Sequence, residues 1–154
     1  MDMSTLLDPG ALRVLGAATS KKRLFQTLGE AARSAHGLDA DLAIEALQER
    51  ESLGPTGVGH GVALPHARLD NLDRVVGVFV RLMKPLDYGS VDKLPVDLVF
   101  ALFAPRSAGV DHLKALAYVS RTLRSPEICK KLRANDDPAK LYAILNSDES
   151  TKAA

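Results

Sequence analysis

Residues 96–103 read VDLVFALF, and residues 74–82 read RVVGVFVRL. Both runs are rich in β-branched and aromatic residues, and both have the length of a strand rather than of a helix. The 96–103 run is apolar at nearly every position, which is typical of a strand that is covered on both faces. These two segments therefore predict the centre of a β-sheet.

Two helical patterns precede these strands. Ser20 is a candidate N-cap for a helix that ends near Gly37, because apolar residues recur at helical spacing between them. Asp39 or Asp41 begins a second helix that ends around Arg50. The sheet is thus expected to follow a pair of helices along the chain.

Three more helical patterns follow the strands. From residue 110 onward one helical face carries Leu113, Leu116, Ala117, Ser120 and Leu123. Pro126 after Ser125, and Pro138 further on, suit the first turn of a helix, where the missing N–H of proline costs nothing. Helices, strands and helices in this order predict an α/β layered domain around one sheet, with a strand order that the pattern leaves open.

The chain ends are the least patterned parts. A short apolar run at 11–15 predicts a first strand, whereas residues 1–8 are short and polar and are expected to fray. Fraying is also expected from residue 146 onward, with a disordered tail at 148–154.

Composition narrows the possible functions. The 154 residues are 46% hydrophobic and 25% charged with a formal net charge of +1, which is typical of an ordinary soluble domain. No basic block predicts a nucleic-acid partner, and no apolar run approaches the roughly 20 residues that cross a bilayer. The single cysteine, Cys129, fits a reducing compartment, so a cytoplasmic location is expected.

A glycine-rich segment lies ahead of the strands. Residues 54–61 read GPTGVGHG, with four glycines and a proline, and predict a loop with special backbone angles rather than a regular element. A short apolar piece at 62–64 follows and stops at Pro65 and His66. Proline stiffens the backbone around it, so the His66 imidazole is presented from a rigid chain. His66 is therefore a candidate functional residue, and the alternative is a histidine that closes a turn.

Three other side chains could hold an anion beside His66. His112 lies in the first turn of a predicted helix, where free N–H groups carry partial positive charge. Arg50 ends the helix before the loop, and its guanidinium matches the geometry of a phosphate. Thr56 offers a hydroxyl donor. Taken singly, His112 could equally be a polar residue near an exposed helix end, and Arg50 could interact only with the carboxyl end of its own helix.

Residues 50–68, RESLGPTGVGHGVALPHAR, resemble the active-site stretch of the IIA domains of the bacterial phosphotransferase system. The likeness is to the mannitol/fructose type, and within it most of all to the nitrogen-regulatory branch. Further matches extend it over about 12–145, and they lie at 95–100, 104–105, 112–117 and 120–121. The resemblance implies a single IIA domain over 5–147, with a mixed sheet flanked by helices.

The same resemblance implies a chemistry. His66 is expected to be the phosphoryl acceptor of a protein-to-protein phosphotransferase, with His112 and Arg50 as further catalytic residues and neither metal nor cofactor. The phosphate is expected to meet the loop residues Thr56, Gly57, Gly59 and Gly61, because loop glycines let backbone N–H groups approach it closely. The expected donor is an HPr-like phosphocarrier protein, and the expected role is regulation in the nitrogen phosphotransferase system. The regulated targets would be of the kind of a potassium-transport or sensor-kinase system.

Other readings stay open at this point. A sugar-specific IIA component would pass the phosphate on to a IIB domain. A pure interaction module would keep the fold without phosphorylation. A zinc enzyme would use His60, His66 and His112 as ligands, since three histidines can hold zinc with an open position for water.

Overall fold

The computed structural model describes residues 1–147, and these form six helices and a six-stranded sheet. The tail expected to be disordered, 148–154, lies outside the described residues. The helices are α1 (Met3–Leu6), α2 (Lys21–His36), α3 (Ala40–Ser52), α4 (Gly109–Arg124), α5 (Pro126–Arg133) and α6 (Pro138–Leu145). The strands are β1 (Leu7–Leu15), β2 (Gly57–Gly59), β3 (Val62–Ala63), β4 (His66–Leu69), β5 (Val76–Leu86) and β6 (Val96–Pro105).

The sheet is mixed, as the resemblance implied. Its strand order is β1-β5-β6-β3-β2, and β4 also pairs with β6. β1 runs parallel to β5, β5 runs antiparallel to β6, and both β3 and β4 run parallel to β6. The two apolar runs of the sequence thus form the centre of the sheet, as β5 and β6.

Helices cover both faces of this sheet. All residues from Val76 to Leu82 in β5 and from Leu98 to Pro105 in β6 are buried. Because successive side chains of a strand point to opposite faces, such runs require cover on both sides. α2 packs on β1 and β5 with α3 beside it, while α4, α5 and α6 contact β6, β5 and β1 respectively. The predicted α/β layered domain is confirmed.

The helix boundaries follow the capping residues of the sequence. The side chains of Ser20, Asp39 and Ser125 each accept a hydrogen bond from a backbone N–H in the first turn of α2, α3 and α5. α2 ends at Gly37, whose φ of 71° is the left-handed conformation that glycine adopts without strain. Among the described residues, no helix is both long enough and apolar enough to cross a membrane.

The amino terminus corrects an expectation. Residues 1–8 were expected to fray, but residues 3–6 form α1, and β1 begins at Leu7 rather than at residue 11. Met3, Leu6 and Leu7 are buried, and α1 contacts both β1 and β5. Burial of three large apolar side chains fixes this segment, and a local pattern does not reveal such tertiary contacts.

The glycine-rich segment corrects a second expectation. Part of the expected loop is β2, which forms a hairpin with β3 through a turn at His60 (φ 58°) and Gly61 (φ 82°). Two positive φ angles in a row are what tight hairpin turns require. The edge strand also continues past Pro65, because β4 pairs with β6 in the same register as β3 does. Proline has no N–H, which explains the interruption between the two strands.

The orientation of α4 is a third correction. Of the face predicted from the sequence, only Leu123 is buried, and Leu113 is 66% exposed. The buried side chains of α4 are instead His112, Ala115, Tyr118, Val119, Thr122 and Leu123. The prediction was wrong because it counted only aliphatic residues as buried, whereas the buried face includes Tyr118 and Thr122, which carry hydroxyl groups. The predicted face lies beside His66, where it borders a surface cleft.

Candidate active site

His66 is the first residue of β4 and is half-buried. Its ring atom Nδ1 lies 2.9 Å from the carbonyl oxygen of Leu64. Because a carbonyl oxygen only accepts hydrogen bonds, Nδ1 carries the proton in this contact and Nε2 keeps a free lone pair. The Leu64 carbonyl thus selects the tautomer of His66 that carries its proton on Nδ1.

The electrostatic surroundings keep His66 neutral. Burial lowers the pKa of His66 below its usual value, and the hydrogen bond to Leu64 only partly offsets this effect. The positive charge of Arg50 lowers the pKa further, while the negative charge of Glu51 raises it. A neutral imidazole with a free Nε2 is the form of histidine that acts as a nucleophile.

His112 lies in the first turn of α4 and is buried. Its ring centroid is 5.5 Å from that of His66, and the two ring planes make an angle of 73°. Burial, together with the charges of His66 and Arg68, lowers the pKa of His112 to about 4. The Nε2 atom of His112 is buried and has no hydrogen-bond partner within the part of the chain that the structure describes. His112 thus has one unused hydrogen-bonding position near His66.

Arg50 lies in the last turn of α3 and borders the same cleft as the two histidines. Its Nη1 donates a hydrogen bond to the carbonyl oxygen of Gly54 at 3.0 Å, which turns the guanidinium toward the glycine-rich segment. The cleft has a volume of about 670 Å³, and Leu113 and Arg68 also line it. The structure therefore brings together His66, His112 and Arg50, which lie far apart in the sequence.

The four loop residues expected to meet a phosphate divide into two groups. Thr56 and Gly57 lie beside His66 and Arg50. Gly59 and Gly61 lie elsewhere: a side chain at Gly59 would face Asp92, and one at Gly61 would face Arg133 and Asp97. The β2–β3 hairpin carries these two glycines away from His66 and toward α5.

The hydroxyl of Thr56 is already engaged. It donates to Oε1 of Glu51 at 2.6 Å and lies 2.8 Å from the Tyr88 hydroxyl, and Thr56 as a whole is buried. The Thr56 N–H donates to Oε2 of Glu51 at 2.9 Å. Thr56 therefore fixes the loop through Glu51, and its side chain does not offer a free donor to a phosphate.

Sequence reasoning missed the group around Glu51. The Glu51 side chain is only 7% exposed, and Nζ of Lys21 lies 2.9 Å from its Oε2. Lys21 also lies 4.1 Å from the centre of the Tyr88 ring. One signal was available for Glu51, because it stands next to Arg50 in the stretch that carries the resemblance. Lys21 and Tyr88 lie about 30 and 37 residues from Glu51 along the chain, and no local pattern links them.

The zinc alternative is not supported. His60 is exposed in the hairpin turn, where its backbone N–H donates to Asp92 at 3.0 Å. It borders a different groove from the one that holds His66 and His112. Within residues 1–147, no three His, Cys, Asp or Glu side chains are grouped so that they could hold a metal ion.

Known proteins match this chain over nearly its whole length. The family model described as "Phosphoenolpyruvate-dependent sugar phosphotransferase system, EIIA 2" matches residues 5–148. A protein from Bradyrhizobium diazoefficiens named nitrogen regulatory protein is 44% identical over 153 residues, which cover 99% of this chain and 100% of that protein.

Solved structures match the fold. The crystal structure of the nitrogen regulatory protein IIA-Ntr from Neisseria meningitidis superposes with a TM-score of 0.84 at 32% identity, and the match covers 93% of this chain and 98% of that one. The crystal structure of IIA mannitol from Escherichia coli gives a TM-score of 0.76 at 18% identity, covering 90% of this chain and 97% of that one. At that lower identity the likeness concerns the fold alone.

Proposed function

Because this chain belongs to the EIIA 2 family of the phosphoenolpyruvate-dependent sugar phosphotransferase system, in which phosphoryl groups pass between proteins, we propose that His66 is its phosphoryl acceptor. The observation that carries the proposal is the contact of His66 Nδ1 with the Leu64 carbonyl at 2.9 Å, on a ring whose centroid lies 5.5 Å from that of His112. This contact leaves Nε2 of His66 as the nucleophile.

The transfer step needs only the two proteins. The lone pair of His66 Nε2 attacks the phosphorus of a phosphohistidine on the donor, and the donor N–P bond breaks as the new N–P bond forms. The donor imidazole leaves with the bonding electron pair. His66 keeps its Nδ1 proton, and the Leu64 carbonyl stabilises the positive charge that develops on the ring. Bonds of the same type are exchanged, so catalysis consists mainly of positioning and charge stabilisation.

Arg50 and His112 supply that stabilisation. The guanidinium of Arg50 has donors beyond the one it gives to Gly54, and these suit the equatorial oxygens of the transferred group. The unpartnered Nε2 of His112 suits another of these oxygens. Gly57 lies beside the same space, and its backbone N–H could complete the set, although the absence of a side chain there is required by Ser90, which a Cβ atom would meet.

The donor that fits this site is an HPr-like phosphocarrier protein. The cleft is bordered by large exposed apolar side chains, Leu53 at 84% and Leu113 at 66% exposure. Arg50 and Arg68 line the same cleft and attract a phosphorylated surface. Exposed apolar residues around a charged centre suit a protein partner better than a small metabolite.

The biological role that we propose is regulation in the nitrogen phosphotransferase system, in the cytoplasm. The relative at 44% identity and the structure at 32% identity are both named for nitrogen regulation. Phosphorylation adds roughly −1.5 to −2 charges at neutral pH, which lets a target protein distinguish the two states. A potassium-transport or sensor-kinase system is the kind of target that we propose.

Labelling by the donor tests the acceptor. The purified protein is incubated with an HPr-like carrier that phosphoenolpyruvate and the upstream kinase keep phosphorylated, and intact mass spectrometry detects an acid-labile phosphoryl group. We expect one group on the wild type and none on His66→Ala, while His60→Ala is labelled as fast as the wild type. Labelling of His66→Ala at the wild-type rate would overturn the assignment, and ³¹P–¹⁵N NMR of the labelled protein identifies the ring nitrogen.

A further inference from the structure

Glu51 occupies the centre of a polar cluster next to the proposed acceptor. Its two carboxylate oxygens accept hydrogen bonds from the Lys21 ammonium, the Thr56 N–H and the Thr56 hydroxyl, and the Tyr88 hydroxyl lies 3.1 Å from Oε1. The carboxylate is almost completely shielded from solvent. The end of α3 does not depend on this cluster, because the backbone N–H of Leu53 already caps the helix. The four donors around the Glu51 carboxylate are therefore not explained by helix capping.

A chain of hydrogen bonds leads from this carboxylate to the imidazole. The Thr56 N–H donates to Glu51, and the Thr56 carbonyl accepts the Leu64 N–H at 3.0 Å. The Leu64 carbonyl in turn accepts the Nδ1 proton of His66 at 2.9 Å. Only two residues, Thr56 and Leu64, stand between Glu51 and His66, and both are buried.

We propose that Glu51 is a positioning residue for phosphoryl transfer, which acts through Thr56 and Leu64 to hold His66 in the Nδ1–H tautomer. The inference rests on the proposed role of His66 as acceptor. Each link fixes the orientation of the next carbonyl or amide, and hydrogen bonds in a chain strengthen one another in a medium of low dielectric. Partners of this kind orient the reacting side chain without touching the substrate.

Thr56 and Lys21 keep Glu51 ionised. Burial alone would raise the pKa of the Glu51 carboxyl, but the hydrogen bonds from Thr56 and Lys21 outweigh it and leave the pKa below its usual value. Burial raises the pKa of Tyr88, so its hydroxyl stays protonated beside the carboxylate. The carboxylate charge also raises the pKa of His66 and opposes the lowering by Arg50. Glu51 thus keeps His66 more basic than burial and Arg50 alone would leave it.

Glu51→Gln tests the proposal with two measurements on the full chain. The first is ¹⁵N NMR of the His66 ring across pH, which reports the tautomer and the pKa without any phosphorylation. The charged groups that act on His66 are Arg50 and Glu51 on α3. Arg68 and Arg106 line the same cleft, and the His112 ring faces His66 from α4. We expect the variant to have a lower His66 pKa and a smaller fraction of the Nδ1–H form.

The second measurement is the rate of labelling by the phosphorylated carrier. We expect kcat to fall roughly tenfold with an unchanged KM for the carrier, by analogy with metal-bound histidines, whose outer partners are worth about 10–100-fold in activity. Glu45→Gln is the matched control, because Glu45 is an exposed carboxylate on the same helix that does not border the His66 cleft. The control should leave both measurements unchanged.

The outcomes separate the possible explanations. A lower kcat with an unaltered His66 tautomer and pKa would overturn the positioning role and leave Glu51 a structural residue. Unchanged values of all quantities would overturn it as well. If Glu51→Gln does not fold, Thr56→Val removes one donor only and should change the tautomer in the same direction by less. A wild type that the carrier cannot label would contradict the proposed function, while the NMR measurement would still decide whether Glu51 orients His66.

Discussion

The two halves of the glycine-rich segment serve different parts of the molecule. Residues 54–57 lie with the proposed active site, where the Gly54 carbonyl accepts from Arg50 and Thr56 is tied to Glu51. Residues 59–61 form a hairpin turn, and Gly61 lies under the side chains of Arg133 and Asp97. Glycine is required at position 61 because the backbone has a positive φ there and because the side chains of Arg133 and Asp97 lie close to it. The number of glycines in a segment therefore does not tell which of them meet a ligand.

The two arginines near these halves show the same contrast. Arg133 donates through Nε and Nη2 to both carboxylate oxygens of Asp97 and to the His60 carbonyl, so its guanidinium is held within the fold by a partly buried ion pair. Arg50 makes one hydrogen bond to a backbone carbonyl, and its remaining donors border the cleft of His66. An arginine that keeps unused donors beside a nucleophile is suited to bind an anion.

Replacing Arg50 should impair phosphoryl transfer, whereas replacing Arg133 should impair stability. The loss of transfer rate in Arg50→Ala is the largest effect that we expect. Arg50→Ala should lower the rate of labelling by the phosphorylated carrier by about 10²–10³-fold, because it removes a donor to the developing charge. Arg133→Ala should leave the labelling rate of the folded protein unchanged. It should instead lower the free energy of unfolding by about 2 kcal/mol, since Asp97 is left half-buried without its partner.

Labelling rates under single-turnover conditions and urea denaturation measure these two quantities. A slow Arg133→Ala protein with normal stability would show that the hairpin half also serves the transfer reaction. An Arg50→Ala protein that is labelled at the wild-type rate would remove Arg50 from the proposed site.

The strongly patterned parts of the fold were predictable from the sequence. β5 and β6 consist of apolar, β-branched and aromatic residues, and the caps at Ser20 and Ser125 mark helix starts by local chemistry. β2 and β4 were missed because strands of three or four residues are defined by their partners, here β3 and β6. α1 was missed for a similar reason, since its burial against β1 and β5 is a tertiary contact.

The candidate site was predictable in a different way. From the residues alone His66, His112 and Arg50 each kept a structural alternative, and only the family resemblance placed them together. The structure brings the three to one cleft. The cluster of Glu51, Lys21 and Tyr88 was not predicted, because its members come from α3, the start of α2 and the loop after β5. Contacts between distant segments leave no periodic signal in a sequence.

Gly61→Ala should destabilise the protein without slowing its phosphorylation, which would show that Gly61 serves the fold rather than the active site. A Cβ atom at Gly61 would lie 2.6 Å from Nη2 of Arg133 and 3.0 Å from Oδ1 of Asp97, on a backbone with a φ of 82°. The strain and the displaced ion pair should together lower the free energy of unfolding by about 2–3 kcal/mol. The labelling rate of the folded fraction should stay at the wild-type value.

Gly37→Ala is the matched control for Gly61→Ala. Its φ of 71° is similar, but a Cβ atom there would meet nothing within 4 Å. It should cost only about 1 kcal/mol, the strain of a left-handed alanine. If urea denaturation gives equal losses for the two variants, crowding at Arg133 and Asp97 is not what requires glycine at Gly61.

The smallest expected effect is a dependence of stability on pH, and it contrasts His112, which lies at the proposed active site, with His60, which lies in the hairpin turn. The pKa of buried His112 falls from an ordinary value of about 6.5 to about 4 on folding, whereas His60 is exposed. The unfolded chain therefore takes up a proton at His112 before the folded one does. The stability that His112 contributes is complete above about pH 6.5 and is lost as the pH falls toward 4. Between pH 7 and pH 5 this loss amounts to about 2 kcal/mol.

Urea denaturation at pH 7 and pH 5 checks this dependence. The wild type should lose about 2 kcal/mol more than His112→Gln between the two pH values, and His60→Gln should behave as the wild type does. His66 has a lowered pKa too, and because its charge acts on His112, the difference between the wild type and His112→Gln measures His112 together with that coupling. An equal loss in the wild type and in His112→Gln would mean that His112 is not held neutral. In that case its Nε2 would be a charged donor in the folded state, and the proposed balance of charge around His66 would have to include it.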